Sequence, residues 1–452
     1  LNRAGRWVAA LLLSLCAAAA SAAVAAIAPS APAPATTLSD EALLDAAEHQ
    51  TFHYFWEFAD SVSGLARERS NVTAEYGREV ATIGGTGFGV MAIVVASERG
   101  WVTRAQALER LDRMTAFLTH ADRFHGVFPH WMYGATGKVR PFSAMDDGGD
   151  IVETAYLFEG LLTARQYFSA PVPQEQRLRA RIDSLWRDVD WTWHQRDGQK
   201  ALWWNRSPAH DFAVNAQVAG WNEALITYVL AASSPTHAID TTTYHHGWAR
   251  DGAIRNGRAF EGITLPLGPD GGGPMFFEHY SFLGLDPRGL HDRYADYGEQ
   301  CAAHARIQQA YAIRNPLGFK GYGADCWGLT SSDQPGGYGR HAPGHDNGVI
   351  TPSAALASFP YTPKASMQAL RHFHDDLGGK LWGPYGFADA FDETRGWVAN
   401  SYLAIDQGPI IVGIENYRTG LIWRLFMSAP EIQAGLRKLG FASPALDAPV
   451  RR

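Results

Sequence analysis

Stretches that are apolar all round alternate along this chain with stretches that are apolar on one side only, and no other feature limits its fold as strongly. Thr86 to Arg99 and Ile151 to Phe168 are dominated by small and apolar residues, as expected of helices buried on every side. Between them, Thr103 to His120 carries Leu108, Leu111, Met114 and Leu118 at helical spacing. Gln174 to Gln195 is amphipathic again. The same reading predicts helices from Ser39 to Phe58, with Ser39 or Asp40 as N-cap, and over 212–232, 290–313, 351–359, 362–377 and 406–426. A helix buried all round needs neighbours on every side, whereas an amphipathic one needs water on one. The alternation therefore predicts an all-α fold, an (α/α)6 toroid with about six helix pairs, the inner ring wrapped by the outer. Such a ring gathers the N-terminal ends of its inner helices round one funnel. The loops that enter them, 121–149, 196–211, 241–276 and 314–350, are long and rich in Gly, Trp and Asp, and long ordered loops are usually functional. A few short strands are expected within 241–280.

From residue 38 to 452 no second linker, charge block or low-complexity segment interrupts the pattern, so a single domain is expected there. Ahead of it, Arg3 and Arg6 precede the apolar run Trp7 to Leu15 and an Ala-rich stretch with small-x-small options near Ala23 or Ala26. That order is the order of a secretory signal peptide, expected over 1–26, and the Pro/Ala-rich residues 27–37 read as a tether. A lipoprotein signal at Cys16 is disfavoured by Leu15 before it. The apolar core falls short of the ~20 residues a membrane span needs, so stable membrane insertion is not expected. Export would place Cys301 and Cys326 where a disulfide can form, but sequence does not show that they meet. No Cys-x-x-Cys motif or Cys/His cluster suggests zinc, and no metal or cofactor is expected. The net charge of -7 and the lack of a Lys/Arg run argue against nucleic acid. Fifteen Trp, 17 Tyr and 22 Phe either fill a large core or offer flat faces on which sugars stack.

The sharpest chemical signal is Asp146-Asp147-Gly148-Gly149-Asp150-Ile151-Val152-Glu153. Gly148-Gly149 marks a turn, so a helix is expected to start near Asp150, with Asp150 and Glu153 on one face. The helix dipole accounts for one or two acids in a first turn. Four acids at the mouth of an apolar helix point further, to a functional cluster. Asp-Asp-x-x-Asp also resembles the magnesium motif of class I terpene cyclases, where it lies inside a helix; Gly-Gly would be costly there, and no second metal motif follows. Glu223 stands among Val218, Ala219, Ala224, Leu225 and Ile226. Burial there would raise its pKa, as a general acid requires; pairing with an Arg of a neighbouring helix is the equal alternative. Asp406 either caps the last inner helix or touches a sugar. Trp382, Tyr385, Phe387, Phe391 and Trp397 form an aromatic patch suited to a sugar platform.

Phe276-Phe277-Glu278-His279-Tyr280-Ser281-Phe282-Leu283-Gly284-Leu285-Asp286-Pro287, Gly321-Tyr322-Gly323-Ala324-Asp325-Cys326-Trp327-Gly328 and Ile405-Asp406-Gln407-Gly408-Pro409 together resemble the glucoamylase-like proteins of glycoside hydrolase family 144. The resemblance covers most of the chain after residue 40. It implies an (α/α)6 toroid, action on β-1,2-glucan in endo fashion or with release of sophorose, and inversion at the anomeric carbon. By the same resemblance Asp146, Asp150 and Glu153 match the acidic cluster of the family's cleft, and Glu223 matches a further acid. Glu223 is then the expected proton donor, Asp150 or Glu153 the group that activates water, and Asp146 a holder of sugar hydroxyls. Glu278, His279, Tyr280, Trp327, Trp382, Trp397, Asp406 and Gln407 are the expected substrate contacts. The implied partner is an oligo- or polysaccharide bound by a monomer, in the periplasm or outside the cell. A polysaccharide lyase using Tyr280 or His279 as base, and a glycan-binding protein without catalysis, are the alternatives; an acid-rich cleft would repel a lyase's uronate.

Overall fold

A computed structural model describes residues 38–71 and 78–447. The expected signal peptide and tether lie outside the described residues. The described residues from Ser39 onward form one compact unit.

The α-helices of the described residues are α1 Asp40–Trp56, α2 Ile83–Arg99, α3 Arg104–Leu118, α4 Ile151–Tyr167, α5 Pro173–Asp188, α6 Leu225–Ser233, α7 Tyr297–Arg314, α8 Pro352–Leu356, α9 Pro363–Arg371, α10 Gly378–Leu381, α11 Ala404–Arg418, α12 Leu421–Met427, α13 Pro430–Leu439 and α14 Pro444–Asp447. An inner ring runs α11–α2–α4–α6, then through two 3-10 turns, Met275–Glu278 and Tyr280–Phe282, to α8 and back to α11. Outside it, α1 packs on α11 and α2, α3 on α2 and α5, and α13 on α6. The all-α toroid is therefore the fold, with one inner position reduced to 3-10 turns. The two stretches read as apolar all round are long buried helices: Ile83–Ala96 of α2 and Ile151–Arg165 of α4 are buried without a break.

Glycine explains how α2 and α4 approach so closely. A Cβ on Gly87 would stand 2.0 Å from the Tyr156 carbonyl oxygen, and one on Gly160 would stand 2.1 Å from the Gly87 carbonyl oxygen. The two backbones touch directly, and the neighbouring side chains close over the contact.

Several helix limits differ from the sequence reading. The expected helix 212–232 is formed only as α6, because Gly220 turns the chain at φ 79° and 217–218 pairs with Leu202–Trp203. The stretch 290–313 begins late, where Asp296 caps Glu299 N–H. Gly420, at φ 67°, divides 406–426 into α11 and α12. Extended backbone at Val189 ends α5 before a 3-10 turn, Trp191–His194. Cys301 and Cys326 are both free and buried, in separate apolar clusters, so the disulfide does not form. Among the described residues no helix is long and apolar enough to cross a membrane.

Short strands decorate the N-terminal ends of the inner helices. Val80–Thr82, Trp131–Tyr133 and Val139–Arg140 form an antiparallel sheet with Thr82 opposite Trp131. Gly149–Asp150 pairs with Asn205–Arg206. The hairpin Ser331–Gln334/Gly337–Arg340 is tied down by Asp333, whose carboxylate meets Arg69 at 3.0 Å and whose N–H donates to Asp389 Oδ2 at 2.7 Å.

Candidate active site

A cavity of about 280 Å³ opens at the N-terminal ends of the inner helices. Its wall combines Glu68, Arg69, Glu153 and Glu223 with His130, Trp131, Phe142, Tyr156, Trp204, Phe276, Tyr280 and Tyr338. Flat rings beside a few convergent charged groups are the make-up of a pocket for a ligand with both apolar and polar faces.

Glu153 sits in the first turn of α4 and reaches across to α2. Its Oε2 accepts the Gly84 N–H at 2.7 Å, one of the donors that a helix start leaves without a partner. Gly84 has to be glycine for this approach, since a Cβ there would lie 2.6 Å from that oxygen. Oε1 lies 4.0 Å from His130 Nε2. Burial raises the Glu153 pKa and Asp150 adds to it, while His130 and the Gly84 N–H hold it to about 6. His130 is perturbed the other way. Burial would lower its pKa, but the carboxylates of Glu153, Asp150 and Asp146 outweigh that and bring it to about 9. At neutral pH the cleft therefore holds an imidazolium beside the Glu153 carboxylate.

Asp150 is the N-cap of α4. Its Oδ1 accepts from Val152 N–H and Glu153 N–H, each at 3.0 Å, and its Oδ2 meets His130 Nδ1 at 2.8 Å and Asn205 Nδ2 at 3.3 Å. It is fully buried and stands behind the wall. Thus Asp150 and Glu153, three apart in sequence, hold different posts: one fixes the helix start and the imidazole, the other faces the cavity. Asp146 lies behind His130 with its pKa pushed up to about 7 by burial and by Asp150. His130, Asp146 and Asp150 bring one ligand atom each within 4.8 Å of the others, and the contact at His130 Nδ1 is already filled by Asp150 Oδ2 at 2.8 Å.

Glu223 enters from the turn before α6. Its carbonyl accepts hydrogen bonds from Ser281 Oγ and, at 3.4 Å, from Tyr156 Oη. Its carboxyl is raised to about 7 by burial and by Glu153, opposed by its own N–H and by Arg340. Three carboxyls with raised pKa values thus line one cavity: Glu68 held by Arg69 at 2.9 Å, Glu153 beside His130, and Glu223, on which Arg340 acts.

The other expected contacts divide sharply. Tyr280 lines the cavity. Glu278 does not: fully buried, its Oε1 accepts from Trp221 Nε1 at 2.8 Å, Gln300 Nε2 at 2.9 Å and His304 Nδ1 at 2.9 Å. His279 is buried against Ser358 Oγ at 3.0 Å, its pKa lowered by burial to about 3. Trp327 lies wholly in the core. Gln407 braces the Tyr385 and Phe387 carbonyls. Trp382 packs edge-on against Phe387, and Trp397 lines a separate cleft of about 120 Å³. Asp406 is buried and accepts from Ser353 Oγ at 2.9 Å; burial, with Asp333 adding to it, pushes its pKa up to about 7, and burial with Asp406 and Asp333 nearby raises that of Asp389. The sequence reading missed Glu68, Arg69, His130, Trp131, Phe142, Trp204 and Tyr338. The runs Phe128-Pro129-His130-Trp131 and Trp203-Trp204-Asn205 carried a usable signal, aromatic and polar residues packed into loops that enter buried helices.

The family model described as "Putative glucoamylase" matches residues 215–430. A solved Bacteroides uniformis structure of the same description is 56% identical, covering 91% of this chain and 100% of that one, with a TM-score of 0.89. This chain belongs to glycoside hydrolase family 144. Within the family, the endo-β-1,2-glucanase of Chitinophaga pinensis, solved with sophorotriose and glucose, is 52% identical over 91% of this chain and 100% of that one, with a TM-score of 0.89. The exo β-1,2-glucooligosaccharide sophorohydrolase (non-reducing end) of Parabacteroides distasonis is 45% identical over 428 residues, 90% of this chain. This family 144 chain spans 59% of the length of that relative.

Proposed function

We propose that this chain hydrolyses β-1,2-glucan or its oligosaccharides with inversion, using Glu223 as general acid and Glu153 as general base. The observation that carries the reading is geometric: Glu153 and Glu223 reach one aromatic-lined cavity from different elements with raised carboxyls, at about 6 and about 7, while the third raised carboxyl on the wall, Glu68, is tied to Arg69 at 2.9 Å. Near neutral pH the lower of the two is ionised while the higher keeps a large protonated fraction, and this division of roles is what inverting hydrolysis needs. Glu223 gives its proton to the glycosidic oxygen as the bond to the anomeric carbon breaks. Glu153 takes a proton from the water that attacks that carbon from the opposite face. The proton balance closes when solvent reprotonates Glu223 and deprotonates Glu153. Asp150 acts as a positioning residue, through the helix start and His130, and Asp146 supports the imidazolium.

The linkage comes from the family members of known activity, named as acting on β-1,2-glucan or its oligosaccharides. A lyase is disfavoured by a wall that carries Glu68, Glu153 and Glu223, and His279 has no access as base. We further propose export by the N-terminal segment to the periplasm, and action as a monomer.

Product analysis tests the proposal. Purified protein is incubated with linear β-1,2-glucan beside β-1,3-, β-1,4- and α-linked glucans, and the anomeric form of the first product is followed by NMR. Short β-1,2-oligosaccharides released first as the α-anomer are expected. Cleavage of another glucan alone would overturn the substrate, and a β-anomer product would overturn inversion.

A further inference from the structure

The sequence shows no recognisable metal motif, yet the fold brings three separated ligand types together. We propose that Cys326, His372 and Glu393 bind a zinc-class divalent cation and so tie three segments of the toroid to one another. Cys326 comes from the loop after α7, His372 from the end of α9, and Glu393 from the turn after Phe391–Asp392. One ligand atom from each lies within 4.8 Å of the other two.

Four features make this a built site. The donor set is thiol, imidazole and carboxylate, and its soft thiolate and borderline imidazole suit zinc better than calcium or magnesium, which take oxygen ligands. His372 is oriented for the task. Its Nδ1 lies 2.9 Å from Asp376 Oδ2, the carboxylate–histidine pairing that in metal sites leaves the other nitrogen as a lone pair for the ion. That other nitrogen, Nε2, is buried and without a hydrogen-bond partner, although an unpaired buried polar atom is costly. His372 to Asp376 is also one π-helical turn at the end of α9, an irregularity common at functional positions. Finally, Gly321, at φ 88°, makes room for the Glu393 carboxylate, since a Cβ there would meet Oε1 at 2.1 Å.

The charges balance. Binding releases the Cys326 thiol proton to solvent, and the thiolate and the Glu393 carboxylate together neutralise a divalent ion. Tetrahedral bonds of ~2.0–2.3 Å place ligand atoms about 3.4–3.6 Å apart, so the three must draw in slightly. His372 and Glu393 are only partly buried, which leaves them able to do so. Water completes the fourth position. None of the three residues lines the sugar cavity among the described residues, so the ion has no part in the proposed hydrolysis.

The test uses the tag-free full chain, stripped with a chelator and titrated with zinc chloride against a chromophoric competitor. One equivalent is expected for the wild type, and none for Cys326→Ser or His372→Gln. Asp376→Asn is expected to weaken binding about 10–100-fold. Cobalt in place of zinc should give the visible bands of a tetrahedral site and a thiolate charge-transfer band, the latter lost in Cys326→Ser. Zinc should raise the melting temperature of the wild type only. Melting of each metal-free variant shows whether it folds, and His372→Gln, at a partly exposed position, carries the test if Cys326→Ser does not. No stoichiometric zinc in the wild type would overturn the proposal. So would wild-type affinity in a folded His372→Gln, or loss of the ion in Asp146→Asn, which would move it to the cavity.

Discussion

His130→Asn isolates the charge that separates the two carboxyls. The Asn side-chain amide can take the place of Nδ1–H and keep the bond to Asp150 Oδ2, while the cation 4.0 Å from Glu153 is removed. Opposite charges 4 Å apart interact by about 4 kcal/mol at an effective dielectric of ~20. Water at the cavity mouth screens part of this, leaving about 1.4–2.7 kcal/mol, or one to two pH units on the Glu153 carboxyl. In the proposed mechanism the productive form has Glu153 ionised and Glu223 protonated. With limbs at about 6 and about 7, the wild type peaks near pH 6.5 and falls about 20-fold by pH 4.5 and by pH 8.5. In His130→Asn the base stays protonated to higher pH. The rate at pH 5 should therefore drop ten- to a hundredfold, by about the size of the shift. At pH 8.5 it should hardly change, because there Glu223 limits the rate and Arg340, not His130, is the cation whose charge acts on it. The assay is kcat/KM on β-1,2-glucooligosaccharides across pH 4.5–9 in buffers of constant ionic strength. An equal loss at pH 5 and pH 8.5, or a loss confined to the alkaline side, would refute the assignment of Glu153 as base.

Three further outcomes are expected. Glu223→Gln should lower kcat by about 10²–10⁴ with KM little changed; a kcat within threefold of wild type would remove it as the acid. Glu278→Ala should cost about 3–5 kcal/mol in denaturant unfolding, because Trp221, Gln300 and His304 lose their shared acceptor; a KM rise at unchanged stability would place it on substrate instead. Gly160→Ala should cost about 1–3 kcal/mol by overpacking against the Gly87 carbonyl, and an unchanged unfolding midpoint would show that the α2–α4 contact yields.

The toroid was legible because its cause is compositional: a helix with no wet face has to be apolar throughout, and α2 and α4 could be read directly on that ground. Helix limits were harder, since Gly220 and Gly420 look unremarkable until their positive φ is seen. Aromatic residues misled for a related reason. Trp327 and Trp382 have the composition of a sugar platform, but which way a ring faces depends on packing between distant segments.

The site shows the same division at the scale of single residues. Asp150 and Glu153 were legible as a pair, because a turn followed by an apolar helix puts both at one helix start. Their separate jobs follow from partners that local sequence does not supply. Asp150 becomes a cap because pairing of Gly149–Asp150 with Asn205–Arg206 holds it extended and brings Asn205 beside it. Glu153 becomes the cavity acid because Gly84, on another helix, lets the carboxylate in and donates to it. His130, which sets the charge between them, comes from a loop whose place depends on Thr82 pairing with Trp131. The acids mark the helix start that borders the cavity, whereas their surroundings arise from backbone pairing between segments far apart in the chain. A substitution that shifts either pairing should therefore change the pH profile before it changes the fold.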